Sequence, residues 1–203
     1  MTGQHDGLWF SSDPTQWRRA LELYPDVISQ QGVTRLPELD AWYRDEFPAV
    51  FASRRLVHIT LAELIRITEW KMYRGVWRAP NLVRVKNNPA DEVIETTVRG
   101  LSRCPHPTQP IGEIAKLDGV GPATASAVVA ALMPTVYPFF DELVAAQIPD
   151  LGPVKWTLGY YARYAEFLRA RALSLGAEWT PVMIERALWA SVGGKGGATA
   201  ALP

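Results

Sequence analysis

Gly119, Val120 and Gly121 lie one helix and a short connection upstream of Asp141, and these residues hold the most specific chemistry in the chain. Two glycines around a valine permit a tight turn that side chains would block. Leu117 before the turn and the Ala/Val run after it read as helices. Pro122 suits the first position of the second helix, where a missing N–H costs nothing. The free N–H groups of turn and helix start then point outward together, and such a nest binds an anion. The same Gly-Val-Gly also fits an ordinary helix C-cap. Asp141, directly before Glu142-Leu143-Val144, has the position of a helix N-cap.

Residues 117–141 resemble the helix-hairpin-helix GPD superfamily of DNA glycosylases, which excise damaged or mispaired bases; the matching positions are Leu117, Gly119, Val120, Gly121, Thr124, Ala125 and Asp141. The resemblance implies an all-α, two-lobed fold. Residues 1–53 with about 150–192 make one lobe, 54–149 the other with the hairpin, and 193–203 a flexible tail. It implies that Asp141 stands at the cleft between lobes, where its carboxylate stabilises a cationic sugar or orients the attacking water. Gly119, Val120, Gly121, Ala123 and Thr124 would grip the DNA backbone.

Two departures narrow the expected activity. Ala123 occupies the position of the lysine with which bifunctional members attack the sugar, so no Schiff base forms there; lyase activity is absent unless another lysine substitutes. Cys104 is the sole cysteine, which excludes a four-cysteine iron–sulfur cluster. A third departure, Asp118 in place of the usual proline, puts negative charge beside the phosphate grip. The expectation is a monofunctional glycosylase using no cofactor or metal, a monomer acting on lesion-containing duplex DNA. The alternatives are a DNA-binding protein that has lost excision and a scaffold whose basic helix meets an acidic protein.

The elements around the turn supply the charge. Thr60-Leu61-Ala62-Glu63 has capping-box spacing, so a helix starts at Leu61. At 100° per residue, Leu61, Leu64, Ile65, Thr68 and Met72 share the core face, while Arg66, Trp70, Tyr73 and Arg74 lie opposite. Basic residues interleaved with aromatics suit phosphate contact and base stacking, which makes Arg66, Lys71, Arg74 and Arg78 DNA-binding candidates. Trp70, Tyr73 and Trp77 are candidates to stack on a flipped base or fill its gap. A neighbouring helix covering Trp70 and Tyr73 is the competing reading. Glu69, at the edge of the apolar face, has two readings: a general acid, and an ion pair with a nearby Arg or Lys.

Elsewhere the chain is punctuated as helices, without a convincing run of strand alternation. Asp13-Pro14 and Asn88-Pro89 place a capping side chain before an N1 proline, and Thr180-Pro181 begins another helix. Residues 153–175 read as one helix ended by Gly176, its aromatics Trp156, Tyr160, Tyr161, Tyr164 and Phe167 forming a core stripe. His58 and His106 lack metal-ligand spacing and read as structural or solvent-facing, and His5 falls in a mobile N-terminus.

With 21 basic and 21 acidic residues the 203-residue chain has no net charge, an unusual balance for a strong DNA binder. The charge is unevenly spread. Residues 54–86 hold eight basic residues against Glu63 and Glu69, whereas residues 1–53 hold four against eight acidic ones. One basic region can therefore steer a polyanion. No stretch reaches the apolar length of a membrane span, the N-terminus lacks a signal peptide's pattern, and the single cysteine argues against a disulfide framework; together these lead to a cytoplasmic expectation, nucleoid-associated in a bacterium.

Overall fold

Across residues 7–200, with side chains described through 197, a computed structural model is helical and contains no strand. In chain order the helices are α1 (Pro14–Glu22), α2 (Tyr24–Ser29), α3 (Leu36–Ala41), α4 (Phe47–Ala52), α5 (Leu61–Arg74), α6 (Ala79–Lys86), α7 (Ala90–Leu101), α8 (Gln109–Ile114), α9 (Pro122–Leu132), α10 (Glu142–Ala145), α11 (Leu158–Leu175), α12 (Pro181–Ser191) and α13 (Gly194–Ala200). A π-helical turn at Trp42–Glu46 joins α3 to α4. His5 and residues 201–203 lie outside the described part. No helix among the described residues is long and apolar enough to cross a membrane.

Local chemistry starts several helices where the residue types predict. Asp13 caps α1 by accepting from Thr15 N at 2.9 Å. Thr60 and Glu63 exchange the two bonds of a capping box, Glu63 N to Thr60 Oγ1 at 3.3 Å and Thr60 N to Glu63 Oε2 at 2.8 Å. Thr180 caps α12 by accepting from Met183 N at 3.2 Å. Each cap pairs one of the orphan donors of a helix start.

The core forms around α9. Its Ala, Val, Ser and Thr residues leave no polar stripe, so burial on all sides is the stable solution, and residues from Ala123 to Ala131 are buried. α4, α5 and α8 pack against it, and its small side chains let their backbones come close. The two ends of the described chain meet, since α1, α2 and α11 all pack on α12.

Three expectations are corrected. The helix expected over 153–175 begins at Leu158, because Gly152 turns with φ 65°, Pro153 follows, and Thr157 rather than an earlier residue caps by accepting from Tyr160 N at 3.2 Å. Trp156 therefore precedes the helix and is 44% exposed instead of joining its core stripe. Asn88 does not cap α7, which starts at Ala90 after an extended Pro89; its amide is bonded to Val85 and Asp118 instead. Gly194–Ala200 is helical instead of a flexible tail. The Gln31 amide holds it, donating to Gly193 O at 3.1 Å and accepting from Gly196 N at 2.9 Å.

The two turn glycines differ in what they tolerate. Gly119 has φ 73°, and a Cβ there would lie 2.4 Å from Asn81 O and 2.9 Å from Val85 N on α6. Gly121 is extended at φ −97° with nothing within 4 Å of a Cβ. Gly119→Ala is expected to cost about 2–4 kcal/mol, combining left-handed strain with overpacking. Gly121→Ala is expected to stay within about 0.5 kcal/mol. Urea unfolding of the pair checks this; equal stabilities would remove the packing of Gly119 on α6 as the reason for its glycine.

Candidate functional site

The turn between α8 and α9 is fixed from behind and open in front. The Asn88 side chain donates to Val85 O and Asp118 O, each at 2.9 Å, and accepts from Asp118 N at 2.8 Å, so one buried amide ties the turn to the end of α6. The first backbone bond of α9 runs from Ala125 N to Gly121 O at 2.9 Å. The N–H groups of Ala123 and Thr124 consequently have no helix carbonyl to pair with. Val120, Ala123 and Thr124 have buried side chains, so they can offer a ligand only their backbone.

Asp141 ends the extended stretch after α9 and caps α10. Its Oδ1 accepts from Leu143 N at 2.8 Å and Val144 N at 3.4 Å. Oδ2 faces the Arg74 guanidinium at 3.9 Å, beyond hydrogen-bond reach. Only 6% of the residue is exposed. Burial pushes its carboxyl above the ordinary aspartate value, against the opposing pull of Arg74 and the two backbone N–H groups.

Behind Asp141 lies a buried charge cluster. Arg74 pairs with Glu185, Nη1 to Oε2 at 3.3 Å and Nη2 to Oε1, and both residues are 1% exposed. The guanidinium also sits 4.5 Å from the Trp189 ring centre and 5.2 Å from that of Phe139. One cation thus serves two carboxylates. Burial pushes Glu185 up to about 7 despite Arg74, with Asp141 adding to the rise.

A cleft in front of Asp141 holds about 50 Å³ and is lined by Lys71, Arg78, Phe140, Asp141, Glu142 and Trp156 among others. It continues past Lys71, Arg78 and Trp156 to a second recess bounded by Asn81, Gly119, Gly121, Ala123 and Thr124. Trp156 leans on Phe140, ring centres 4.9 Å apart at 50°. The turn and the carboxylate therefore open on one continuous groove whose shared wall carries two cations and an indole. No family model, curated protein or solved structure matches the chain.

The groove brings together Gly119, Gly121, Ala123, Thr124, Lys71, Arg78 and Asp141 from the expected set, and it leaves out the rest. Arg74 is no phosphate contact, because it is buried with Glu185. Trp70 is no stacking platform. It is 1% exposed, stacks on Tyr43 at 3.7 Å and donates to Asp40 Oδ1 at 2.9 Å, so the covering-helix reading holds for it. Tyr73 and Trp77 stack on each other at 4.7 Å beside a further recess with Gln31 and Val33, which meets the first cleft only at Gly75 and Lys195. Arg66 lies 4.0 Å over the Trp42 ring, and Arg54 is held by Glu63. Glu69 is 3.7 Å from Arg35, which bears out its ion-pair reading and places it away from the groove as a general acid.

The cations that line the groove are Lys71 on α5, Arg78 just before α6 and, in the first half, Lys195. Arg84 and Lys86 of α6 are exposed, and Gly119 lies against Asn81 and Arg84 of that helix. Trp156, Phe140 and Glu185 are the residues that the sequence reading missed as parts of the site. Thr157, recognised as the cap, would have released Trp156 from the helix; Glu185 carries no comparable local signal. The histidines serve turns: His58 Nδ1 lies 2.8 Å from Leu56 O, and His106 Nδ1 accepts from Gln109 N at 3.2 Å.

Proposed function

We propose that the protein is a DNA glycosylase of the helix-hairpin-helix class that hydrolyses the N-glycosidic bond of a damaged or mispaired base. The observation that carries this reading is the groove that runs from the free N–H groups of Ala123 and Thr124 to the buried Asp141 carboxylate. In this reading the turn binds a phosphate, and Arg78, Arg84 and Lys86 extend the contact along the backbone. Residues before α5 together with α11 and α12 form one lobe, α5 to α10 the other.

The base leaves the stack, at a cost of a few kcal/mol that is smallest for a damaged pair, and enters the cavity before Asp141. At about 50 Å³ that cavity is well below the roughly 300–1,000 Å³ of small-ligand pockets, so in this reading its walls part as the base enters. Trp156 and Phe140 offer it an aromatic wall. As the glycosidic bond breaks, positive charge grows on the sugar, and the fixed Asp141 carboxylate stabilises it or orients the water that attacks C1′. Binding without excision is the second reading, and one observation favours it: Arg74, 3.9 Å from Asp141, offsets part of the negative charge that the sugar cation would meet.

Single-turnover assays on duplexes carrying uracil, alkylated purines, 8-oxoguanine or adenine mispairs, with and without alkali, test the proposal. Alkali-revealed cleavage on one of them supports excision; silence on all with intact duplex binding leaves the second reading. Trp156→Ala is expected to weaken binding to the lesion duplex by about 1–3 kcal/mol, the usual loss of one stacked base. Its thermal stability should hardly change, since the indole is 44% exposed. An equilibrium titration with unchanged affinity would remove Trp156 from the base site.

A further inference from the structure

Arg74, the last residue of α5, is shared by two buried carboxylates and divides itself unevenly between them. Both of its terminal nitrogens go to Glu185, while Asp141 Oδ2 stands 3.9 Å from Nη2, outside hydrogen-bond reach. Oδ1 of Asp141 is already taken by the backbone N–H groups of Leu143 and Val144, so Oδ2 is the oxygen open to Arg74. A shift of about 1 Å would bring Nη2 to the usual N–H···O distance. The rings of Tyr24, Trp70, Phe139 and Trp189 surround the guanidinium, and its Nε has no hydrogen-bond partner among the described residues. In such an apolar box two carboxylates compete for one cation, and the one that holds it less keeps more of its charge. The other groups facing Glu185 are Arg186 on its own helix, Tyr24 on α2, Tyr43 in the π-helical turn and Tyr164 on α11. Burial raises all three phenols, so they stay neutral and leave Arg74, Arg186 and Asp141 as the charges that Glu185 meets.

We propose that Glu185 is a positioning residue for excision: it holds Arg74 off Asp141, so that the Asp141 carboxylate keeps its charge for the sugar cation. The inference deepens the glycosylase reading and rests on it. Glu185 is 1% exposed, so it touches no substrate and acts through Arg74. The arrangement also answers the objection that Arg74 lies close to Asp141. The arginine lowers the cost of keeping Asp141 ionised in a buried place, yet its hydrogen bonds belong to another carboxylate. Once Glu185 loses its negative charge, Arg74 turns to Oδ2, and the carboxylate that should meet the developing positive charge is already paired.

Glu185→Gln keeps the side-chain shape and one acceptor for Arg74 while removing the charge. It is expected to lower single-turnover excision at saturating protein by roughly 10- to 100-fold, with lesion-duplex affinity close to wild type. The second readout is the titration of the Asp141 carboxyl, followed by its side-chain carbon signal in the full-length protein without DNA. In Glu185→Gln that titration should move below the wild type, because Arg74 has moved onto Oδ2. With Arg74→Met added it should move above the wild type, because the cation has gone, and excision measured at a pH above it should exceed that of Glu185→Gln. Loss of a structural brace alone would lower the rate without moving the carboxyl downwards. An Asp141 titration unmoved or raised by Glu185→Gln, or a double variant no more active than Glu185→Gln, overturns the proposal. Should Glu185→Gln fail to fold, the double variant decides: excision comparable to wild type above its Asp141 titration is expected, and an inactive double variant overturns the positioning role. The titration needs no DNA, so a wild type silent on every lesion fails the glycosylase reading while the Asp141 carboxyl still judges the hold of Glu185 on Arg74.

Discussion

Asp141→Asn lowers single-turnover excision by roughly 10²- to 10³-fold, the size of effect seen when one fixed electrostatic partner of a transition state is removed. Helix content and duplex affinity should stay close to wild type. Asparagine is as good an N-cap as aspartate, so the bonds from Leu143 N and Val144 N to Oδ1 survive. The variant loses only the charge. The same carboxylate sets a pH dependence whose direction follows from its burial. Its folded pKa lies above the ordinary 3.8, so the ionised form appears later as pH rises, and wild-type excision climbs through an acid limb centred above that value. Stability runs the other way. The folded state binds this proton more tightly than the unfolded chain, so the contribution of Asp141 to stability is largest below 3.8 and declines as pH rises through the folded pKa. Asp141→Asn should accordingly melt no lower than the wild type at neutral pH. Full excision by the variant would dismiss Asp141 as the catalytic group.

Arg74→Met is expected to destabilise the protein by about 3–5 kcal/mol, the range for removing one partner of a buried ion pair. It leaves Glu185 and Asp141 facing each other with their shared cation gone. Glu185, pushed up to about 7 even with Arg74 in place, then takes up a proton more readily, so the loss should be larger at pH 8 than at pH 5. Arg74→Met combined with Glu185→Gln should recover part of the stability, because the buried charge left behind is reduced to Asp141 alone. Urea unfolding of the two variants at both pH values measures this. A loss below about 1 kcal/mol in the single variant, with no pH dependence, would show that the cluster is dispensable to the fold.

What the sequence made legible was chemistry acting over a few residues. The Thr60–Glu63 capping box, the Asp13 and Thr180 caps and the Gly119 turn need only neighbours in the chain, and each occurs where its residue types predict. Arg74 failed that test because its partner is 111 residues away on α12, and nothing in Glu69-Trp70-Lys71-Met72-Tyr73-Arg74 distinguishes an arginine that meets Glu185 from one that meets solvent. Trp70 failed for the same reason: Tyr43 and Asp40 cover it from an earlier part of the chain. Helical periodicity assigns a residue to a face but does not count how many neighbours α5 has, and α3, α6, α7 and α9 all pack against it. Trp156 was lost to a boundary error of a few residues, the distance at which an aromatic stripe and an exposed loop residue exchange places.

The Asn88 amide, bonded to Val85 and twice to Asp118, has a dynamic consequence. A loop that must grasp a ligand ordinarily pays in lost motion when it closes. Here Asp118 N is already committed to a buried side chain rooted between α6 and α7, and its hydrogen should exchange with solvent only when that junction opens. The turn therefore belongs to the same cooperative unit as the helices behind it, and its open face is presented as a rigid mould whose shape precedes whatever it receives.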